Sequence, residues 1–176
     1  MLNSSFNELA IFKDLDLYPN ELQKEINEIN TFVYDGINNG VYKCGFAKTQ
    51  EAYNQAFNEL FDALDKVEEI LSKNRFLVGN RFTEADVRIF PTLVRFDEVY
   101  VVYFKCNKKR IIDYPNILNY CREIYQMPGI KETVNMKHIK THYYTSHKDL
   151  NYYAIIPNGN NFIAELEKPH DRNKLN

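Results

Sequence analysis

Residues 81–86 read Arg81-Phe82-Thr83-Glu84-Ala85-Asp86, and this short run dictates how a helix must begin. A Thr83 hydroxyl can serve the first turn while Asp86, three places on, reaches back to the Thr83 backbone N–H, and Phe82 can staple against Val87. A helix therefore starts at Glu84. Downstream, Val87, Ile89, Phe90, Leu93, Val94, Phe96, Val99 and Val101 leave almost no polar side, the pattern of a helix running through the middle of a bundle. Pro91 lies within it, removes a backbone donor and predicts a kink.

One chain of 176 residues with 44% hydrophobic and 14% aromatic content can bury a substantial core as a single domain. The 22 basic against 24 acidic residues, a formal net charge of −2, give no electrostatic footprint for nucleic acid. No stretch approaches the roughly 18 consecutive apolar residues of a membrane span, so no membrane partner is expected either. The N-terminus lacks the basic-then-apolar build of a signal peptide, and Cys44, Cys106 and Cys121 are odd in number and widely spaced. A cytoplasmic location is the expectation.

Periodicity places two more helices. Leu22, Ile26, Ile29, Val33 and Ile37 recur at threes and fours after Tyr18-Pro19-Asn20, as do Ala52, Ala56, Leu60, Leu64, Val67 and Leu71 after the cap residue Thr49. Between them, the glycines and asparagines of 38–46 predict an aromatic-rich loop with positive φ angles. Asp113-Tyr114-Pro115 starts another helix with Pro115 at its first position, and Ile117, Leu118, Cys121, Ile124 and Tyr125 line one side until Pro128-Gly129 ends it. A helical turn then runs to Val134. Strand-like runs are limited to 76–78 and 152–156, so the fold class is all-α. We divide the chain into a helical domain over 1–135 and a tail over 136–176, polar and without clear period, that packs on the bundle.

The capped, proline-bearing helix resembles its counterpart in the C-terminal domain of cytosolic glutathione transferases. More specific are Asn38-Asn39-Gly40-Val41-Tyr42-Lys43 with Gly45-Phe46-Ala47, Thr83-Glu84-Ala85-Asp86, Leu93-Val94-Arg95-Phe96-Asp97, Phe104-Lys105-Cys106-Asn107, Asp113-Tyr114-Pro115-Asn116, His138-Ile139-Lys140 and His142-Tyr143-Tyr144. In this order they are similar to the C-terminal half of the glutathionyl-hydroquinone reductases, an omega-like group. The resemblance implies a glutathione S-transferase C-terminal-like helical bundle. It also implies glutathione as co-substrate, a quinol-type aromatic substrate, and either a homodimer or association with a thioredoxin-like domain. In that family the thioredoxin-like domain precedes this region and supplies the catalytic cysteine, which takes the glutathionyl group from a quinol ring carbon. No such pattern occurs in these residues, so no catalytic residue is expected here and the chain alone should be inactive. The alternative from another class is a non-catalytic binding or scaffolding module.

For an aromatic acceptor, phenol rings can stack and phenol hydroxyls can donate to its oxygens. The resemblance places Tyr42, Tyr143 and Tyr144 in that substrate-binding role; the alternative is that they are ordinary half-buried aromatics. His138, His142 and His147 cluster in sequence, but Ile139 stands where a zinc signature needs glutamate, so no metal is expected. These imidazoles are expected to hydrogen-bond backbone carbonyls and fix the two tyrosines. Cys44 sits in the predicted loop, two residues from Tyr42 and bordering the expected pocket, where a thiolate favoured by Lys43 would be a substitute nucleophile and an inert small side chain is the plainer reading. Cys106 and Cys121 fit buried helix contexts. Lys105, Lys108, Lys109 and Arg110 form a basic run, either solvated or anion-binding. Glu84 with Arg88, and Arg95 with Glu98, are spaced to pair along the helix.

Overall fold

The computed structural model describes residues 5–159 and 161–175, and among these every regular element is helical. They are α1 (Gln23–Val33), α2 (Gly40–Gly45), α3 (Gln50–Lys73), α4 (Glu84–Arg95), α5 (Val101–Tyr103), α6 (Pro115–Gln126), α7 (Met136–Ser146) and α8 (Phe162–Leu166). Helix α3 packs against α2 and α6, α4 lies between α1 and α6, and α8 covers α6. The 76–78 run makes one isolated bridge, Val78 with Arg81, and no strand.

Helix α4 begins where the sequence places it, with the reciprocal Thr83 and Asp86 capping box. The staple differs: Val87 is 44% exposed, and Phe82 instead meets Phe76 edge-on at 5.7 Å between ring centres. Pro91 and Val87 both lie on the exposed side of α4, the side on which the loss of one backbone donor costs least. The core helix continues beyond Arg95, but through a π-helical turn, Phe96–Tyr100, before α5. A second π turn, Tyr34–Asn38, joins α1 to α2. Such turns insert one residue into a helix and rotate the side chains of the next turns about its axis.

The loop expected over 38–46 is instead helix α2, and its glycines do not adopt positive φ. They serve close approach. A methyl group on Gly45 would stand 2.2 Å from the Phe104 ring, and one on Gly36 would stand 2.8 Å from the Ala63 Cβ. Small residues here let the helix seat Ile37, Val41 and Cys44 fully in the core.

Long-range caps complete the bundle. Pro115 opens α6 as read from sequence, while the carboxylate of Glu68 on α3 accepts from the backbone N–H groups of Asn116 and Ile117 at 2.9 and 2.8 Å. The tail is more ordered than its polarity suggests. Asn135 caps α7 by accepting from the His138 N–H at 3.0 Å, and Asn161 caps α8. Buried Arg172 donates to the carbonyls of Leu71, Asn74 and Arg75, closing the C-terminal end of α3.

Asp97, in the Phe96–Tyr100 π turn, caps the Ile111–Asp113 turn by accepting from the N–H groups of Ile111 and Ile112 at 2.5 and 3.2 Å. Burial pushes its carboxyl up to about 6, against the pull of those two donors and of Arg110. Because the folded value lies above the unfolded one, its stabilising contribution is fully present below about pH 4 and is lost as pH rises through about 6. A rise of this size corresponds to about 3 kcal/mol. In urea titrations from about pH 4 to 7, the stability difference between wild type and Asp97→Asn should therefore shrink as pH rises; a pH-independent difference would contradict this.

Candidate functional site

Both π turns lead to the same place. The first sets the rotation of α2 and so of Tyr42; the second carries Tyr100. Helix α7 brings Tyr143 between them. The Tyr143 hydroxyl lies 2.6 Å from that of Tyr42 and 2.8 Å from that of Tyr100, a chain of three phenols drawn from three segments far apart in sequence. Tyr42, at 40% exposed, is its solvent end, whereas Tyr143 and Tyr100 are 7% and 2% exposed. Burial pushes the Tyr143 phenol up to about 12 and the Tyr100 phenol higher still, so both stay protonated near neutrality.

Around the hydroxyls the rings form a shelf. Phe104 stands 5.3 Å from Tyr42, 5.4 Å from Phe46 and 5.4 Å from Tyr100, and the Tyr42 and Phe46 rings are parallel within 1°. Phe46 is itself half exposed and meets the His147 ring edge-on. Beside it opens a cleft of about 570 Å³ between the end of α2 and the end of α7, lined by Phe46, Lys48, Ser146, His147 and Lys148. Exposed rings beside one polar hydroxyl are suited to a flat, oxygenated aromatic ligand.

Of the three tyrosines singled out from sequence, the structure brings Tyr42 and Tyr143 together and turns Tyr144 elsewhere. Its hydroxyl is buried, donates to the Glu98 carbonyl at 3.0 Å, and is pushed up to about 12 by burial; its ring packs on Tyr103 at 4.8 Å. Adjacent helix positions point about 100° apart, so a Tyr-Tyr pair cannot serve one spot. Sequence reasoning missed Tyr100, which lay inside an apolar run read only as core; a hydroxyl at the end of that run was the available signal.

The histidines do not act as expected. The His142 ring meets the Ser146 hydroxyl at 3.3 Å, and at position 147 it is the backbone carbonyl that accepts from Tyr103, at 3.3 Å. Among the described residues, no three His, Cys, Asp or Glu side chains converge as metal ligands would. Cys44 is buried on α2 and its thiol is lowered by Cys106, not by Lys43. In the basic run, Lys109 pairs with Asp65 at 2.9 Å and Arg110 with Asp113 at 3.1 Å. Glu84 and Arg88 pair as spaced, at 2.5 Å. Glu98 instead turns inward, bonding Lys140 at 3.0 Å and the Phe162 N–H at 2.9 Å, and Arg95 donates to the Pro91 carbonyl.

Residues 50–123 match the family model described as glutathione S-transferase, C-terminal domain. The chain is 51% identical over 172 residues to the glutathionyl-hydroquinone reductase YqjG of Escherichia coli, covering 98% of this chain and 52% of that protein. It is 45% identical to the glutathione S-transferase omega-like 2 of Schizosaccharomyces pombe, covering 90% of this chain and 53% of the relative. Among solved structures, glutathione-bound YqjG superposes with a TM-score of 0.93 over 98% of this chain and 55% of that one. The Xi class transferase of Natrialba magadii, 44% identical, gives 0.95 over 99% of this chain and 53% of its own. The chain thus spans about half the length of the curated relatives it matches. Helix order, capping box and these matches together identify it as the C-terminal helical half of the glutathione transferase fold, with a glutathionyl-hydroquinone reductase and an omega-like transferase among its relatives.

Proposed function

We propose that this chain forms the acceptor-binding wall of a glutathione-dependent reductase acting on glutathionyl-hydroquinones. The observation that carries this reading is the Tyr100–Tyr143–Tyr42 hydroxyl chain ending beside an exposed aromatic shelf. Either oxygen of each pair can donate; the order that leaves no buried phenol proton without an acceptor has Tyr100 donating to Tyr143 and Tyr143 to Tyr42, which frees the Tyr42 proton for the ligand, and a phenol that accepts one hydrogen bond is a stronger donor through its own proton. When a thiolate takes the glutathionyl sulfur, the bond to the ring breaks, the ring keeps the electron pair and must gain a proton. Tyr42 is the general acid for that step. Tyr144 acts as a positioning residue, pinning α7 to Glu98.

The thiolate and most of the glutathione site belong to a thioredoxin-like partner half. Support for such a partner comes from the apolar segment before α1, where Leu9, Ile11 and Phe12 are largely exposed. The exposed Tyr152, Tyr153 and Ile155 offer a second apolar face, on which two copies would pair.

Incubating the 176-residue chain with glutathione and a glutathionyl-hydroquinone should release no hydroquinone above the uncatalysed rate. Turnover by the chain alone that disappears in Cys44→Ala would instead place a nucleophile on this half.

A further inference from the structure

The aromatic shelf and the cleft beside it meet at one ring. Phe46 lies parallel to Tyr42 at 6.4 Å between ring centres and also lines the cleft, so an aromatic ligand lying on the shelf has the cleft at its edge. Past Phe46 the lining changes from aromatic to cationic. Lys48 follows the end of α2 and Lys148 the end of α7, and Asp149 is the one acidic side chain beside them. Neither lysine side chain has a hydrogen bond or ion pair among the described residues, whereas Lys109 and Lys131 are each held by a carboxylate. The turn that carries Lys148 is fixed from several sides. Its His147 carbonyl accepts from the Tyr103 hydroxyl at 3.3 Å and from the Leu150 and Asn151 N–H groups at 3.0 Å each, and the Asn151 side chain donates to the Tyr144 carbonyl at 2.8 Å. The His147 ring stands edge-on to Phe46 at 5.4 Å, which ties this turn to the shelf. Two unpaired cations against one anion, at the edge of an aromatic floor, favour a ligand whose ring carries a negative group.

We propose that this cleft is a carboxylate subsite, and that the acceptors this chain receives are hydroquinones bearing a short acidic side chain. The inference rests on the acceptor-binding reading and deepens it: Tyr42 and Phe46 hold the ring, while Lys48 and Lys148 hold the carboxylate of its substituent. Both lysines are exposed, so each contributes what a solvent-facing ion pair contributes, and Asp149 opposes them. The net preference for the acidic acceptor over a neutral one of the same ring is about fivefold in affinity.

The test titrates the nitrogen-15-labelled chain, without oxygen, with 2,5-dihydroxyphenylacetate and in parallel with methylhydroquinone, and follows backbone amides by NMR. Both probes should shift Tyr42 and Phe46; the acid alone should also shift Lys48 and Lys148, and should bind about fivefold tighter. Replacing both lysines by methionine keeps their apolar stems and should bring the affinity for the acid down to that for methylhydroquinone. Asp149→Asn, a surface change of the opposite sign, should tighten the acid by about twofold and leave methylhydroquinone unmoved. Equal affinities of the wild type for the two probes, with Tyr42 and Phe46 still shifted, would overturn the subsite and leave the shelf standing. No shift at Tyr42 or Phe46 with either probe would overturn both. Acetate or S-methylglutathione moving the two lysine amides as strongly as the acid does would also overturn the proposal, since the lysines would then serve a free anion or the tripeptide and not the acceptor ring.

Discussion

Replacing Asp86 by alanine should destabilise the domain by about 3 to 5 kcal/mol, several times the roughly 1 kcal/mol expected for Thr83→Ala. The capping box alone would make the two changes equal, because each removes one half of a reciprocal pair. The structure gives Asp86 more to do. Fully buried, its carboxylate accepts from the Thr83 N–H at 2.8 Å and the Thr83 hydroxyl at 3.2 Å, and also from the Leu77 N–H at 3.0 Å and the Tyr120 hydroxyl at 2.8 Å. Alanine leaves the last two donors inside the core without an acceptor, and each such group costs about 1 to 3 kcal/mol. Urea denaturation monitored by circular dichroism reads the difference. Equal midpoint shifts for the two variants would show that Asp86 is only a cap.

The second large effect concerns chemistry. In a protein that joins the N-terminal half of the Escherichia coli relative to this chain, Tyr42→Phe should lower kcat about 100-fold, the range of a lost general acid, with little change in KM. Tyr42 is at the surface, so phenylalanine keeps the ring contacts with Phe104 and Phe46, and the structural loss is confined to the acceptor of the Tyr143 hydroxyl, about 1 kcal/mol. Tyr143→Phe should cost about tenfold in kcat, because Tyr42 keeps its proton but loses the donor behind it. It should also cost about 1 kcal/mol or more of stability, since the buried Tyr100 hydroxyl then has no partner. A Tyr42→Phe protein with undiminished kcat would remove the acid role.

What the sequence makes legible is what periodicity and local caps encode. Helix α3 and its Thr49 cap, the start of α4, and Pro115 at the first position of α6 are all contained within a few neighbouring residues, so pattern suffices for them. Helix α2 was hidden because its glycines, of which Gly45 is required by the close approach of Phe104, look locally like a turn. Its apolar spacing of Val33, Ile37, Val41 and Cys44 was the signal that outweighed them. Helix α7 was hidden for a different reason, since within it only the adjacent Tyr143 and Tyr144 are buried and a single buried pair has no period.

The site shows the same division. Tyr42 and Tyr143 were accessible through motif resemblance, but nothing local distinguishes Tyr143 from Tyr144. The π turn that rotates Tyr100 toward them has no simple residue signature, because it depends on how one helix accommodates its neighbours. Cys44 illustrates the converse: in sequence it sits beside Lys43 in a predicted loop, whereas in space it is buried on α2, in keeping with the plainer reading of an inert small side chain.

The most direct test of the acceptor-binding role is the steady-state release of hydroquinone from a glutathionyl-hydroquinone by the joined protein, measured beside the intact Escherichia coli enzyme. If this helical half supplies the wall for the aromatic ring, the joined protein turns over within about tenfold of that enzyme. A joined protein that is folded and binds glutathione, yet releases hydroquinone no faster than free glutathione does, would contradict it.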